Sequence, residues 1–201
     1  ATGVAISPDG GTVAFVDSTA TGRQLFAKRR DQLDAVAITG TDSASGAPAF
    51  SPDGAWIAFV ARSGKVKKVP SGGGASVVLA DSASRGQISS IAWLDGGTIL
   101  YVDAGFGLRA VGQDGGATRQ LIAAPNLNDS TARGVVSVAG LPGGGSALVA
   151  ACTNVCVRSD LRLLDLKTRK TTDVVPDVLA AWALPGGIVG FGRKDGNVLA
   201  A

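Results

Sequence analysis

Short apolar runs, separated by polar turns rich in glycine, recur along the whole chain. The clearest run is AWIAFVA, residues 55–61, which directly follows the turn Ser51-Pro52-Asp53-Gly54. Proline at the second position and glycine at the fourth suit a type I turn, so this run is predicted to be the second strand of a hairpin. Many short strands joined by tight turns predict an all-β fold.

The hairpin turn is repeated with a period in the low forties. Its copies are Ser7-Pro8-Asp9-Gly10, Ser51-Pro52-Asp53-Gly54, Leu94-Asp95-Gly96-Gly97, Leu141-Pro142-Gly143-Gly144 and Leu184-Pro185-Gly186-Gly187. Asp9 and Asp53 are 44 residues apart, and Asp53 and Asp95 are 42 apart. The step to the fourth copy is longer because it contains the polar insert APNLNDSTARG, residues 124–134. A repeat of this length matches one four-stranded blade of a β-propeller.

Each unit divides into four short strands, which in the second unit are GAPAFS, AWIAFVA, KVKKVP and ASVVLA. The second strands are apolar on both faces, as expected between neighbouring sheets, whereas the third strands alternate, as expected near the rim. We predict a single β-propeller domain or propeller fragment over residues 1–201, with about four and a half to five blades of four antiparallel strands each. The blades are assigned to residues 1–40, 46–80, 88–123, 135–176 and an incomplete 177–201.

The two best-preserved units also carry a family resemblance. AISPDGGTVAFVD and PAFSPDGAWIAFVARSGKVKKVPSGGGASVVLA resemble the TolB-like, WD-repeat-like propeller repeat of bacterial proteins. Their sequences are similar to those of the extracytoplasmic propellers of receptor-type serine/threonine kinases. The five units supply nineteen predicted strands, one fewer than a closed five-bladed ring needs. We therefore expect either that the polypeptide continues beyond Ala201 or that another chain covers the open edge.

Composition argues against several classes of function. The chain has no histidine, which removes Ser-His-Asp and Cys-His catalysis and the commonest zinc ligand, and it has no Gly-x-Ser-x-Gly turn. We predict no catalytic residue, metal site or cofactor. The net charge of +3 comes from scattered residues, so no nucleic-acid partner is indicated. The uncharged stretch 134–157 is long enough to span a bilayer, but Pro142 and three following glycines interrupt it, so we predict two strands and no transmembrane segment.

Two cysteines indicate a compartment. Cys152 and Cys156 enclose the three residues TNV between the second and third strands of unit four, where a hairpin would bring them face to face. We predict a disulfide between them, with a pair of reduced, partly buried thiols as the alternative. A disulfide favours the periplasmic or extracellular face of a bacterial membrane.

Two further patterns are predicted to be structural. GFGLRA, residues 105–110, leads from one strand into another and not into a helix, so it is predicted to be a blade loop without phosphate-binding function. Aspartates that precede glycine are predicted to serve turn geometry. These are Asp9, Asp53, Asp95, Asp114 and Asp195.

The remaining candidates lie in loops. In a propeller, the connections from fourth to first strands share one face with the loops between second and third strands. We predict a partner-binding surface there, made of Arg62, Arg85, Phe106, Asn126, Asn128, Asp129 and Arg133. The predicted function is a non-catalytic interaction scaffold or docking subunit of a larger extracytoplasmic, membrane-attached complex, whose partners are other protein subunits. The alternatives are the sensor domain of a bacterial receptor kinase, or the propeller gating domain of a prolyl-oligopeptidase-type peptidase whose catalytic domain lies outside this chain.

Overall fold

The computed structural model describes residues 2–20, 22–85, 90–126, 128–153, 159–183, 189–193 and 198–200, and strands are the only regular elements in them. Blade 1 contains β1 (Thr2–Ile6), β2 (Thr12–Thr19), β3 (Gly22–Arg29) and β4 (Val36–Ala37). Blade 2 contains β5 (Ala44–Phe50), β6 (Trp56–Ala61), β7 (Val66–Pro70) and β8 (Val77–Ala80). Blade 3 contains β9 (Ile91–Trp93), β10 (Thr98–Val102), β11 (Leu108–Gly112) and β12 (Gly115–Ile122). The last sheet contains β13 (Gly134–Gly140), β14 (Ser146–Cys152), β15 (Ser159–Asp165), β16 (Thr171–Ala183), β17 (Val189–Arg193) and β18 (Val198–Ala200).

Within each sheet the strands are antiparallel and follow chain order. Three sheets have four strands, and the sheet of β13 to β18 has six. The first strands of successive sheets pack on one another, β1 on β5, β5 on β9 and β9 on β13. Each sheet therefore has its first strand innermost and its last strands toward the rim, which confirms the predicted β-propeller of four-stranded antiparallel blades.

The fourth and fifth predicted units are joined without a break. One strand, β16, runs from Thr171 through Ala183 across the boundary predicted at residue 177. The first part of β16 pairs with β15 and the second part with β17, and Val178 pairs with both. Asp177 has a φ of 57°, so the strand bends there without ending. The described residues thus form 18 strands, and β16 joins β17 and β18 to the strands of the fourth blade in one hydrogen-bonded ladder. β16 also packs on β13, as the first strands of successive blades do.

The repeated turn is held by its own side chains. Ser51 Oγ donates to Asp53 Oδ1 at 2.5 Å and accepts from the Trp56 amide at 2.9 Å. Ser7 and Asp9 make the same 2.5 Å bond in the first copy. Asp9 and Asp53 therefore serve turn geometry, as predicted.

The core consists of apolar clusters between successive blades. Ala14 and Val16 of blade 1 pack with Ile57 and Phe59 of blade 2, and equivalent clusters lie between blades 2 and 3 and between blades 3 and 4. The second strands β6, β10 and β14 are buried on both faces, whereas the third strands β7, β11 and β15 mix buried residues with partly exposed ones. This confirms the predicted change from a second strand that is buried on both faces to a third strand that is partly exposed to solvent.

The uncharged stretch folds as predicted over its described part, as β13 and β14 joined by a glycine-rich turn. Within the described part of the chain, we find no helix with the length and apolarity that a membrane span requires.

Candidate functional site

Antiparallel chain order divides the loops between the two ends of the blades. The hairpin turns between first and second strands lie at one end, here called the turn face. Loops between second and third strands and connections from fourth to first strands lie at the other end, here called the loop face. The described part of the loop face comprises residues 20, 38–43, 62–65, 81–85, 103–107, 123–126, 128–133 and 153. All seven predicted partner-binding residues lie on it.

Phe106 is held in a fixed position on the loop face. Its amide donates to the Asp103 carbonyl at 3.0 Å, and its own carbonyl accepts from the Val135 amide of the next blade at 2.7 Å. Its φ of 66° lies in the left-handed region, which is uncommon for a bulky residue. A Cβ on Gly134 would lie 2.7 Å from the Phe106 Cβ, so the close approach requires glycine. Phe106 is partly buried.

Asp103 shapes the loop that carries Phe106, and the sequence analysis did not single it out. The side chain is buried, and its Oδ1 accepts from the amides of Gly105 and Gly107, both at 2.9 Å. Its Oδ2 forms an ion pair with Arg109 Nε at 3.1 Å. The sequence signal was an aspartate followed by glycines two and four positions later. At this spacing the carboxylate can accept hydrogen bonds from the glycine amides. The stretch 105–107 is a blade loop, as predicted.

The polar insert is ordered by its own hydrogen bonds. Asn126 Oδ1 accepts from the Asn128 amide at 3.1 Å, and Asp129 Oδ1 accepts from the Thr131 hydroxyl at 2.7 Å and amide at 2.8 Å. The Thr131 hydroxyl, together with its amide, holds the pKa of Asp129 below its usual value. Arg133 forms an ion pair with Asp160 of β15. The insert therefore presents exposed polar groups from a defined turn.

Arg62 and Arg85 form the other part of the loop face. Both side chains are exposed, and the Arg62 amide donates to the Ser43 carbonyl at 2.8 Å. Arg85 lies over the neighbouring loop, because a Cβ on Gly64 would be 3.3 Å from its Nε. Neither arginine is ion-paired within the described ranges. Their charges are therefore open to acidic groups of a partner.

Cys152 ends β14, is 5% exposed and is disulfide-bonded. Cys156 lies outside the described residues, as does Asp195. The pairing of Cys152 with Cys156 stays a prediction.

The turn face contains a cavity that the sequence analysis missed. It has a volume of about 630 Å³ and lies where four blades meet near the axis. Pro8, Pro52 and Pro142 line it from equivalent turns, and Trp93 lines it from blade 3. The proline that recurs in the turns was the sequence signal for this cavity. Asp95, in the equivalent turn of blade 3, accepts a hydrogen bond from the Gly143 amide in the turn of blade 4 at 2.7 Å. Of the turn aspartates, Asp114 instead pairs with Lys68 at 3.2 Å.

Over the described ranges, no three acidic or cysteine side chains lie close enough together to hold a metal ion.

Comparison with known proteins identifies the fold but does not assign the chain to a family. No family model and no curated protein matches the chain. Among solved structures, TolB from Acinetobacter baumannii superposes with a TM-score of 0.76 at 16% identity, over 98% of this chain and 50% of TolB. The Cps50 (Swd1) β-propeller domain from Myceliophthora thermophila gives a TM-score of 0.69 at 12% identity, over 99% of this chain and 65% of that domain.

An enzyme shares the same fold. Oligogalacturonate lyase in complex with manganese superposes with a TM-score of 0.66 at 12% identity, over 98% of this chain and 63% of the lyase. The chain thus spans half the length of TolB and under two thirds of the lyase. At these identities the similarity establishes a β-propeller, of the architecture found in TolB and in WD-repeat-type domains.

Proposed function

We propose that this propeller is a non-catalytic interaction module of a larger extracytoplasmic complex, and that it docks other protein subunits through the loop face. The observation that carries the proposal is Phe106, a partly buried aromatic residue of the loop face held in a left-handed conformation by hydrogen bonds to Asp103 and Val135. Rigid aromatic anchors surrounded by arginine are typical of protein interfaces, because little side-chain entropy is lost when they bind.

The chemistry of the loop face supports a protein partner that carries charged and polar groups. Arg62 and Arg85 contribute exposed positive charge, and the Asn126–Asp129 turn contributes hydrogen-bonding groups at the rim. An aromatic centre with a polar rim is the usual composition of such a surface. The disulfide-bonded state of Cys152 supports an oxidising compartment, and attachment of the complex to a membrane is part of the same proposal.

The fold alone does not separate a docking module from an enzyme, because propellers carry both functions. A sensor domain of a receptor kinase is one form of the proposed module. A gating domain of a prolyl-oligopeptidase-type enzyme would require a catalytic domain outside this chain, since the chain has no histidine.

Site-specific photo-cross-linking in the native host tests the loop face. A benzophenone amino acid at position 106 is expected to give a covalent adduct of defined mass with a partner subunit. The matched control carries the same probe at Pro52, on the turn face, and is expected to give none. Phe106→Ala should weaken the binding of the identified partner at least about tenfold.

Two results would contradict the proposal. The first is an adduct from position 52 and not from position 106. The second is turnover of oligogalacturonate or peptide by the purified chain, which would make it an enzyme.

A further inference from the structure

A second cavity lies on the turn face, between blades 1 and 2, and is here called the interblade cleft. It has a volume of about 530 Å³. The buried side chains of Ile38 and Phe50 line it, together with the exposed carboxylates of Asp9 and Asp53. Every lining residue belongs to blade 1 or blade 2, within residues 7–72, so both walls of the cleft are part of the described structure.

The repeat shows which positions of the blades correspond. The amides of Thr12 and Trp56 each donate to the hydroxyl of their own turn serine, Ser7 and Ser51, at 2.9 Å. Thr12, which lines the cleft, therefore corresponds to Trp56. Because side chains alternate along a strand, both residues lie on the side of their second strand that faces the next blade.

Two further lining residues also have larger counterparts in the next interface. Ala27 occupies in β3 the register position that Lys68 occupies in β7. Gly72 directly follows the residue whose amide closes the second hairpin of blade 2, and Asp114 follows the equivalent residue of blade 3. Ala27 therefore corresponds to Lys68, and Gly72 to Asp114.

Trp56, Lys68 and Asp114 together fill the equivalent space between blades 2 and 3. Lys68 Nζ lies 4.8 Å from the centroid of the Trp56 ring and pairs with Asp114 Oδ1 at 3.2 Å. The Lys68 side chain is only 12% exposed. At the same three positions the interblade cleft has threonine, alanine and glycine. It therefore lacks an aromatic ring and a cation that the next interface contains.

The interface between blades 3 and 4 contains a large side chain from the outer hairpin of the following blade. The amide of Leu166 donates to the Gly145 carbonyl as the amide of Ser71 donates to the Ala55 carbonyl, so Leu166 corresponds to Ser71. Leu166 packs on the apolar cluster between blades 3 and 4. Ser71, which lines the interblade cleft, is much shorter. The space between blades 1 and 2 thus arises from small residues where the other two interfaces have large ones.

The two carboxylates give the cleft a negative charge. In Asp9 and Asp53, Oδ1 accepts from the turn serine at 2.5 Å and from the amide two residues on, at 2.9 and 3.0 Å. These bonds, the serine hydroxyl first, hold the pKa of both carboxyls below the usual value. Neither forms an ion pair with another residue that the structure describes. Arg29, the cationic lining residue, pairs with Asp31 at 3.2 Å instead.

We propose that the interblade cleft binds a small organic cation with an aromatic body. The ring occupies the space that corresponds to the Trp56 indole, and the ammonium group meets the carboxylates of Asp9 and Asp53. Small-molecule sites are mostly apolar cavities of about 300–1,000 Å³ with a few polar groups that fix orientation. An ammonium beside an aromatic ring and a carboxylate is also the arrangement of the neighbouring interface. The site lies on the face opposite the loop face, and it does not depend on the proposed docking of a protein there.

Titration of the purified protein with tryptamine, an indole ring that carries an ammonium group, tests the proposal. Amide NMR spectra are expected to show saturable shifts with a dissociation constant below about 1 mM. The shifts should be concentrated at Thr12, Ala27 and Gly72 and absent from β14. The matched control ligand is 3-indolepropionate, which has the same ring and a carboxylate. It should bind at least about tenfold more weakly, because Asp9 and Asp53 repel it.

Variants separate the shape of the cleft from its charge. Thr12→Trp fills the cleft as Trp56 fills the next interface, and it should abolish tryptamine binding in a chain that circular dichroism shows to be folded. Asp9→Asn/Asp53→Asn keeps the shape and removes the charge, so it should weaken binding at least about fivefold. Asp114→Asn is the control, since it removes a carboxylate that is already paired with Lys68, and it should leave binding unchanged.

Three results would overturn the proposal. They are the absence of saturable tryptamine binding, equal affinity for tryptamine and 3-indolepropionate, and undiminished binding by Thr12→Trp. If Thr12→Trp does not fold, Ala27→Lys takes its place, because it puts an ammonium group at the position of Lys68. This variant should weaken tryptamine binding at least about tenfold by repulsion and by filling the cleft, and an unchanged affinity would equally refute the site.

Discussion

Ser51 is a buried residue whose hydroxyl holds a whole turn. It donates to Asp53 Oδ1 and accepts from the Trp56 amide, so its removal would leave a main-chain donor unpaired. We expect Ser51→Ala to lower the free energy of unfolding by about 1–2 kcal/mol, measured by urea denaturation. Ser63→Ala, in an exposed loop, is the control and should have no measurable effect. Equal stability of the two variants would mean that the hydroxyl contributes nothing to the turn.

The same hydrogen bonds give the turn a pH dependence. The Ser51 hydroxyl, followed by the Ala55 amide, holds the pKa of Asp53 below its usual value of 3.8. A lowered pKa in the folded state means that the carboxylate adds stability above the usual pKa, and that this stability disappears as the pH falls through the lowered value. Asp53→Asn should therefore melt below the wild type near neutral pH. The two melting temperatures should converge as the pH falls through the lowered pKa of Asp53. If the difference in melting temperature between the two proteins stays constant as the pH falls, the lowered pKa of Asp53 does not contribute to stability.

At the scale of the element, some neighbouring blades approach so closely that a glycine is needed at the contact, because a side chain would collide with the main chain of the other blade. Gly143 and Gly144 both have positive φ, 84° and 66°. A Cβ on Gly144 would lie 2.4 Å from the Asp95 carbonyl oxygen of the preceding blade, whereas one on Gly143 would meet nothing within 4 Å. Alanine at either position costs about 1–2 kcal/mol of backbone strain, and at Gly144 overpacking adds about 1–3 kcal/mol. Thermal unfolding should therefore rank Gly144→Ala well below Gly143→Ala, and identical melting temperatures would contradict the close contact.

The loop that carries Phe106 depends on one buried carboxylate. Asp103→Ala removes the acceptor for two glycine amides and the ion-pair partner of Arg109. Because Arg109 is 34% exposed, water compensates part of the loss, and we expect a destabilisation of about 1–3 kcal/mol in urea. Asp114→Ala is the control, since Asp114 is 86% exposed in its pair with Lys68 and should change stability by less than about 1 kcal/mol. The expectation fails if the two substitutions cost the same.

The strands of blades 2 and 3 could be predicted because apolar spacing and turn residues are local signals. The continuity of β16 could not, since Pro176 normally ends or interrupts a strand and only the pairing of Val178 with two neighbours overrides it. In the candidate site, alternation of strand direction was enough to group Phe106 with Arg62 on one face. The burial of Asp103 and the contact of Phe106 with Gly134 depend on packing between blades, which leaves no local pattern.

At the scale of the whole molecule, the described blades form an array in which each sheet packs on its sequence neighbours. Stability in such an array is a sum of blade and interface terms, so it need not be uniform along the chain. Blades 2 and 3 each pack on two neighbouring blades, whereas among the described residues the cluster of blade 1 is formed with blade 2. The outer strand β4 has only two residues.

Hydrogen exchange should reveal this gradient. Amides of β6 and β10 are expected to exchange slowest, because both of their faces are buried and opening them breaks two inter-blade clusters. Amides of β1 and β4 should exchange fastest, since blade 1 can open by breaking its single interface with blade 2. Equal protection in blades 1 and 2 would contradict the gradient and would mean that the array unfolds as one cooperative unit. If Phe15→Ala increases exchange in blade 1 but not in β10, the two blades open independently, as an array with nearest-neighbour coupling requires.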